Sequence, residues 1–177
     1  MQHTLIAKVE NKPGVLNRIA SLFRRRNFNI DSLNVGRTEN PEISRMTIVL
    51  DHSDLDPVMV KNNLYKLVNV IDVQDVTNQP TVTRDLALIK VAAAQEKRHE
   101  ITNLASIFRA NVIDVASESI IMEITGTVDK IESLIELLRP FGIIEMVTTG
   151  QVAMLRGKAN GYHPNGHKEI SSHERGI

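Results

Sequence analysis

The sequence predicts an α+β fold of two tandem ferredoxin-like units, each in the order βαββαβ, and three observations carry that reading. Apolar residues that alternate, the period of a half-buried strand, twice give way to apolar residues at i, i+3, i+4 and i+7, the stripe of an amphipathic helix. A full cycle of strand, helix, strand, strand, helix and strand takes about 75 residues and then starts again. A polar stretch containing Pro80 separates the two cycles.

In the first cycle, residues 4–10 read as a strand, with Leu5, Ala7 and Val9 on one face. Leu16, Ile19, Ala20 and Phe23 then form a helical stripe over residues 14–26. Phe28 to Val35 is apolar-rich and extended, and Glu39-Asn40-Pro41-Glu42 is a turn, since Asn-Pro favours turn initiation. Arg45 to Leu50 alternates again, with Met46, Ile48 and Leu50 on one face. Asp56-Pro57 matches an N-cap followed by proline at the first helical position. Val60, Leu64, Leu67 and Val68 give the stripe of that helix, and Val70 to Val76 closes the unit as a strand. The first domain is thus expected at 1–77 and a linker at 78–84.

The second cycle occupies 85–157. Leu86 to Ala92 is a strand, and Ile101, Leu104, Ala105 and Phe108 form a helical stripe. Val112 to Val115 and Ile120 to Thr125 are strands. Val128, Ile131, Leu134, Ile135 and Leu138 fit a helix ended by Pro140, and Gly142 to Thr149 is apolar and extended. A short echo marks the repeat: Leu22-Phe23-Arg24 and Asn29-Ile30-Asp31 resemble Ile107-Phe108-Arg109 and Val112-Ile113-Asp114. Residues 158–177, rich in Gly, His, Asn, Lys and Ser without apolar period, are expected to be a disordered tail.

Composition narrows the function. The 21 basic and 21 acidic residues cancel, so no global field draws the chain to nucleic acid or membrane. No cysteine is present, which excludes disulfides and thiolate chemistry. No apolar run reaches the ~18–20 residues of a membrane span, and the N-terminus lacks the regions of a signal peptide, so a soluble cytoplasmic protein is expected. No Gly-x-Ser-x-Gly elbow, Walker A loop or dinucleotide fingerprint occurs. His3, His52 and His99 stand apart, and the aspartates at 51, 54, 56, 72 and 75 fall at element ends, where Asp caps and turns. His163 and His167 have i,i+4 spacing, but Gly161, Pro164 and Gly166 argue against a helix there, so no metal site is expected. Arg24-Arg25-Arg26 invites an RNA reading, yet the opening strand and the strand at 45–50 carry no aromatic for base stacking. Those arginines sit where cations complement a helix C-terminus.

One turn carries chemistry. Between the first strand and helix lies Asn11-Lys12-Pro13-Gly14. Pro fixes φ, Gly allows a sharp turn, and the first N–H groups of a helix have no internal partner and carry partial positive charge. A small carboxylate fits such a place, with Asn11 to orient it. On local chemistry alone a plain strand-to-helix connection is the preferred reading, since most such turns bind nothing.

Longer strings go further. Residues 10–19 (ENKPGVLNRI), 22–33 (LFRRRNFNIDSL) and 44–49 (SRMTIV) resemble the ACT domain of the acetolactate synthase small subunit, the regulatory subunit of acetohydroxyacid synthase. Residues 84–91 (RDLALIKV) and 107–115 (IFRANVIDV) are similar to that family's C-terminal domain, so the resemblance spans about residues 1–157 in the expected order.

The resemblance implies a non-catalytic regulatory subunit that pairs as a homodimer through its ACT domains, whose sheets join. It implies a branched-chain amino acid, usually valine, bound at the ACT–ACT interface. Asn11, Gly14, Val15 and Leu16 match the segment that holds the ligand carboxylate. Asn29 and Ile30 match the segment contributed by the partner chain, with Asn29 meeting the ammonium, and Val35 and Gly36 border the aliphatic end. Ordinary core is the other reading for Ile30 and Val35. Arg24, Arg25 and Arg26 are candidate contacts to a large catalytic subunit. That subunit carries thiamine diphosphate, Mg²⁺ and FAD and condenses pyruvate with pyruvate or 2-oxobutyrate; this chain carries no cofactor of its own. A free-standing amino-acid sensor and a ligand-free assembly subunit are the alternative readings.

Overall fold

The computed structural model describes residues 2–51 and 57–157. The Asp56 cap, His52, Asp54 and the tail from 158 lie outside the described residues. Strands β1 (His3–Glu10), β2 (Ile30–Arg37), β3 (Ile43–Leu50) and β4 (Val70–Asp75) form an antiparallel sheet in the order β2-β3-β1-β4. Helices α1 (Val15–Arg25) and α2 (Pro57–Leu64) cover one face of it. A second sheet repeats the plan with β5 (Thr81–Ala92), α3 (Arg98–Phe108), β6 (Asn111–Val115), β7 (Ser119–Gly126), α4 (Val128–Leu138) and β8 (Ile143–Thr148), in the order β6-β7-β5-β8. Two tandem ferredoxin-like units are therefore present, as the periodicities predict. Among the described residues, no helix is long and apolar enough to cross a membrane.

Each unit buries the strand residues of one parity against its helices. In the first, Leu5 meets Ile48 and Ala7 meets Met46 across the ladder, and with Val9 and Leu50 they pack on Ile19, Phe23, Val60 and Leu64. In the second, Ala87, Ile89 and Val91 meet Ile124, Met122 and Ile120 and pack on Ile101, Ala105, Leu134 and Leu138. Each such large apolar side chain contributes roughly 1.5–3 kcal/mol by leaving water.

Four expectations need correction. The buried face of α1 is Val15, Ile19, Leu22 and Phe23, one residue round from the predicted stripe, which leaves Leu16 and Ala20 exposed. Val15, the first helical residue, turns inward beneath Gly14 and fixes that phase. Val68 is 93 % exposed, because α2 ends at Leu64 and only Leu67 of the following turns reaches the core. The stretch 78–84 is strand from Thr81 onward, where Thr81 to Arg84 pair with β9 (Val152–Leu155), a strand the sequence pattern had not marked. The internal echo is also out of step. Bulges after Lys8 and Lys90 and after Ile30 and Val112, with left-handed residues Asn27 and Arg109, equate Ile30 with Val112 and Phe23 with Ala105, not Phe108.

Both left-handed residues close the same device. Phe28 N–H reaches Phe23 O at 3.0 Å and Asn27 N–H reaches Arg24 O at 3.2 Å; Ala110 and Arg109 repeat this on Ala105 O and Ser106 O at 2.8 and 3.1 Å. This paired arrangement satisfies the last helical carbonyls and aims the next strand back along the sheet.

The ribbon of β9 and the start of β5 lies across the otherwise open face of the first sheet. Ala153 is buried against Ile6 and Val76. Its N–H donates to Thr47 Oγ1 at 3.3 Å, and its carbonyl accepts from Arg45 Nη2 at 2.6 Å. Gln151 N–H donates to Ser32 Oγ at 3.0 Å. Gly150 permits this approach: its φ is +78°, and a Cβ there would lie 2.5 Å from Ser32 Oγ. Gly150→Ala is expected to destabilise the chain by about 1–2 kcal/mol, the cost of a left-handed L-residue, plus the clash, read as a lower urea midpoint with unchanged slope.

Candidate functional site

The turn after β1 is built by backbone bonds that sequence alone does not display. Lys12 N–H reaches back to Glu10 O at 3.0 Å, and Val15 N–H to Lys12 O at 3.3 Å. Gly14 sits at φ 82°, ψ −8° as the N-cap of α1, and the helical ladder starts with Arg18 N–H on Gly14 O at 3.0 Å. Gly14 has no side chain to cap with, and nothing lies within 4 Å of the place its Cβ would take. The amides a capping side chain ordinarily satisfies, those of the second and third helical residues, are Leu16 and Asn17. Of the three amides expected to be open, Val15's is engaged by Lys12, and Asn17 takes its place in the cradle.

A polar rim holds this turn. The Glu10 carboxylate accepts from Asn69 Nδ2 at 2.5 Å and pairs with Lys12 at 3.2 Å, while Asn69 Oδ1 accepts from Arg18 Nη1 at 2.7 Å. The Asn69 hydrogen bond first, and Lys12 second, hold the Glu10 carboxyl below its ordinary value of 4.5. Lys12 and Arg18 thereby stand beside the open helix start and add positive potential to it. Arg18 and Asn69 were not foreseen. Arg18 reads in sequence as one more exposed helical cation, and Asn69 is distant along the chain.

Asn11 is held from two sides. Its N–H donates to Glu42 O at 2.7 Å and its Nδ2 to Pro41 O at 2.8 Å, tying the Gly14 turn to the β2–β3 turn. One of its amide hydrogens therefore serves the fold. Its Oδ1 has no donor among the described residues and can accept from an ammonium group.

The remaining expected residues divide between the two ends of α1. Val35, 41 % exposed, and Gly36 lie at the end of β2 that pairs with Met46 and Arg45, on the side of the molecule where β1 runs into the Gly14 turn. Asn29 and Ile30 lie at the opposite end, a helix of 11 residues or ~16 Å away. Ile30 packs on the first core, while Asn29 is exposed and its carbonyl accepts from Asp51 N–H at 3.4 Å. Within one chain, then, Asn11, Gly14 and Leu16 come together and Asn29 does not join them. Arg24, Arg25 and Arg26 are all exposed at the C-terminal end of α1, with Arg25 Nε on Ser21 O at 3.3 Å.

The equivalent turn in the second unit keeps the same backbone bond, Lys97 N–H on Ala94 O at 2.9 Å, but carries different side chains. Glu96 stands where Gly14 stands in the first, inside the 3₁₀ turn Gln95–Lys97. Arg98 bridges the space beside it, donating to Ala93 O at 3.2 Å, Ala116 O at 2.8 Å and Ser117 O. A carboxylate at that position opposes a second anion.

Comparison with known proteins matches each unit to a family model. Residues 5–72 match the family model of the AHAS small subunit-like ACT domain, and residues 84–157 match the model of the small subunit of acetolactate synthase. A probable acetolactate synthase small subunit of Archaeoglobus fulgidus is 51 % identical over 157 residues, 89 % of this chain and 98 % of that protein. The acetolactate synthase small subunit of Bacillus subtilis is 45 % identical over 158 residues, 89 % of this chain and 92 % of that one. The crystal structure of the acetolactate synthase small subunit from Thermotoga maritima superposes with a TM-score of 0.83 at 41 % identity, covering 90 % of this chain and 99 % of that one.

Two outcomes test the geometry of the turn. Gly14→Ala adds a Cβ that meets no atom but holds an L-residue at φ 82°, so a loss of about 1–2 kcal/mol in denaturant unfolding is expected. The Glu10 carboxyl, followed by carbon NMR, titrates below 4.5 and returns toward it in Asn69→Ala. Because that pKa is depressed on folding, Glu10's support for the turn is complete above the ordinary value and disappears as pH falls through the lowered one.

Proposed function

The chain belongs to the family of acetolactate synthase small subunits, and on that premise we propose that it is the regulatory partner of a thiamine-diphosphate-dependent catalytic subunit, which it activates and makes sensitive to valine or a related branched-chain amino acid. The observation that carries the ligand half of this reading is the uncapped start of α1. Two uncapped amides and the helix dipole meet at this start, Lys12 and Arg18 are held in its first turns through Glu10 and Asn69, and Asn11 Oδ1 in the same turn is left as an acceptor. An amino acid presents a carboxylate and an ammonium a few ångströms apart, the pair of groups this arrangement complements. Val35 and Gly36, at the same end of β2, supply an apolar contact and room for a short branched side chain.

Asn29 belongs to the site only if a second chain brings it there, so the proposed ligand sits between two ACT domains of a homodimer. Binding there alters the complex only by favouring one arrangement of the two chains over another. A coupling of roughly 1–3 kcal/mol is typical of such regulation, and it acts in both directions. The chemistry belongs to the partner. Thiamine diphosphate, Mg²⁺ and FAD are proposed to reside on the large subunit, in the cytoplasm, and this chain acts on their environment by docking. The three arginines at the end of α1 are the proposed contact.

Calorimetric titration with valine, leucine and isoleucine tests the ligand. Saturable valine binding is expected in the native chain and its loss in Gly14→Asp, which places a carboxylate where the ligand's belongs; circular dichroism establishes that the variant is folded. A folded dimer that binds none of the three would remove the feedback role and leave activation. Separately, reversing Arg24, Arg25 and Arg26 to glutamate is expected to weaken association with the catalytic subunit without changing valine affinity. Equal losses in both would contradict the docking assignment.

A further inference from the structure

Each unit closes its sheet with an outer strand, β4 in the first and β8 in the second. The matching bulges after Lys8 and Lys90 put Val73 of one in the place of Met146 in the other. One bond sets the phase of each ladder: Val76 N–H on Thr4 O and Thr149 N–H on Leu86 O, both at 3.0 Å. Counting by two from those bonded pairs, Val73 and Asp75 turn their backbone groups away from β1, and Met146 and Thr148 turn theirs away from β5.

In the first unit this outward row is met by side chains. The Tyr65 hydroxyl accepts from Val73 N–H at 3.0 Å and donates to Asp72 Oδ1 at 3.1 Å, and Gln79 Nε2 donates to Asp75 O at 2.6 Å. Val73 is 1 % exposed. Tyr65 is the residue that follows α2; the residue that follows α4 is Arg139, which has no acceptor to offer a backbone amide. Among the described residues no side chain bonds the outward groups of Met146 or Thr148, and Met146 is 45 % exposed.

Beside this open row, between α4 and β8, lies a hollow of about 310 Å³. Its floor is apolar, from Val128, Ile131, Ile135 and Met146. Its charged walls are Asp85, Glu132 and Glu136 against one cation, Arg139. The ion pairs within 4 Å among the described residues are Lys12 with Glu10 and Lys97 with Glu100, so none of these three carboxylates is paired with a cation in the chain. A second hollow of about 460 Å³ adjoins it, sharing Asp85, Val128, Glu132 and Thr148 and adding Asp31. The potential over this edge is therefore negative.

We propose that the β8 edge is a docking site for an extended, basic segment of the catalytic subunit, which pairs with β8 as an added strand. The inference rests on the reading above that a catalytic subunit is the partner, and it gives that partner a second contact, opposite in charge to the arginines of α1. The backbone of Met146 and Thr148 supplies the pairing, and the groove supplies the selection. Alternate residues of a strand lie ~7 Å apart on one face, and Glu132 and Glu136, one turn apart on α4, lie ~6 Å apart. Lysine or arginine at two alternate positions thus meets both carboxylates, with the aliphatic stems resting on Ile131, Ile135 and Met146. An acidic segment meets like charge at the same two places. The first unit does not compete for the segment at Val73, whose amide Tyr65 already holds.

Association of the full chain with the purified catalytic subunit, combined with hydrogen exchange read by mass spectrometry, tests this. In the native complex, exchange is expected to slow over residues 143–148 and to stay unchanged over 70–75. Glu132→Lys with Glu136→Lys is expected to weaken association at least roughly tenfold, because like charges then meet across the groove. Both residues are exposed on α4, so the variant is expected to keep the native circular dichroism spectrum and the native affinity for valine. Native-strength association in the double variant, or exchange over 143–148 that does not slow, overturns the docking edge and leaves the regulatory reading standing. A variant that loses valine binding together with association also overturns it, since the groove then acts through the rest of the fold. A native chain that does not associate with the catalytic subunit overturns the docking edge and the regulatory reading together.

Discussion

A four-stranded sheet backed by two helices buries one of its faces and leaves the other wet, and the chain must do something with the second. Here Ile6 and Val76 lie on the second face of the first sheet, and the ribbon of β5 and β9 covers them with Ala153 and Leu155. The cover is polar as well as apolar: Thr47, Arg45 and Ser32 each hold a backbone group of the ribbon. Leaving those backbone groups unpaired under the ribbon would cost roughly 1–3 kcal/mol apiece. This contact joins the units, because β5 begins in the ribbon and ends as the central strand of the second sheet. It also decides what stays free. With one face under helices and the other crossed by the ribbon, the first sheet keeps its edge strands β2 and β4 and the mouth of the Gly14 turn for other molecules.

The two units carry different side chains at the same turn of one scaffold. Their bulges and helix ends coincide, so their strand-to-helix turns can be compared residue by residue. In the first, a left-handed glycine leaves helical amides uncapped and a network of Glu10, Asn69, Lys12 and Arg18 braces them. In the second, Glu96 takes the glycine's position and Arg98 bridges Ala93 O and Ala116 O beside it. The left-handed glycine and its polar bracing therefore belong to the first unit, while the second unit supplies the cover and a further exposed edge at β6.

Periodicity made the fold legible, since each strand and helix buries one side and the residues at that spacing are apolar. It failed where burial does not follow a simple repeat. The ribbon strand Val152–Leu155 buries Ala153 alone, so no alternation announced it, and Thr81 to Arg84 read as linker because their neighbours along the chain are polar. The α1 stripe was displaced by one residue because the first inward side chain is set by the turn, and apolar Leu16 faces outward. At the site, Asn11, Gly14 and Leu16 were legible because a turn concentrates its chemistry in adjacent residues. Asn69 and the double anchoring of Asn11 on Pro41 and Glu42 were not, since those partners are brought in by the sheet from 59 and about 30 residues away.

A site shared between two chains requires that the uncapped start of α1 and the distant Asn29 answer to one ligand. Amide NMR of the labelled chain during a valine titration addresses that directly. A shared site predicts that the backbone amides of Leu16 and Asn17 and the side-chain amide of Asn29 shift together, with one dissociation constant, while those of Glu96 to Arg98 stay in place. Shifts at Leu16 and Asn17 without Asn29 would contradict a site shared between two chains. Shifts confined to the second unit would contradict the site itself.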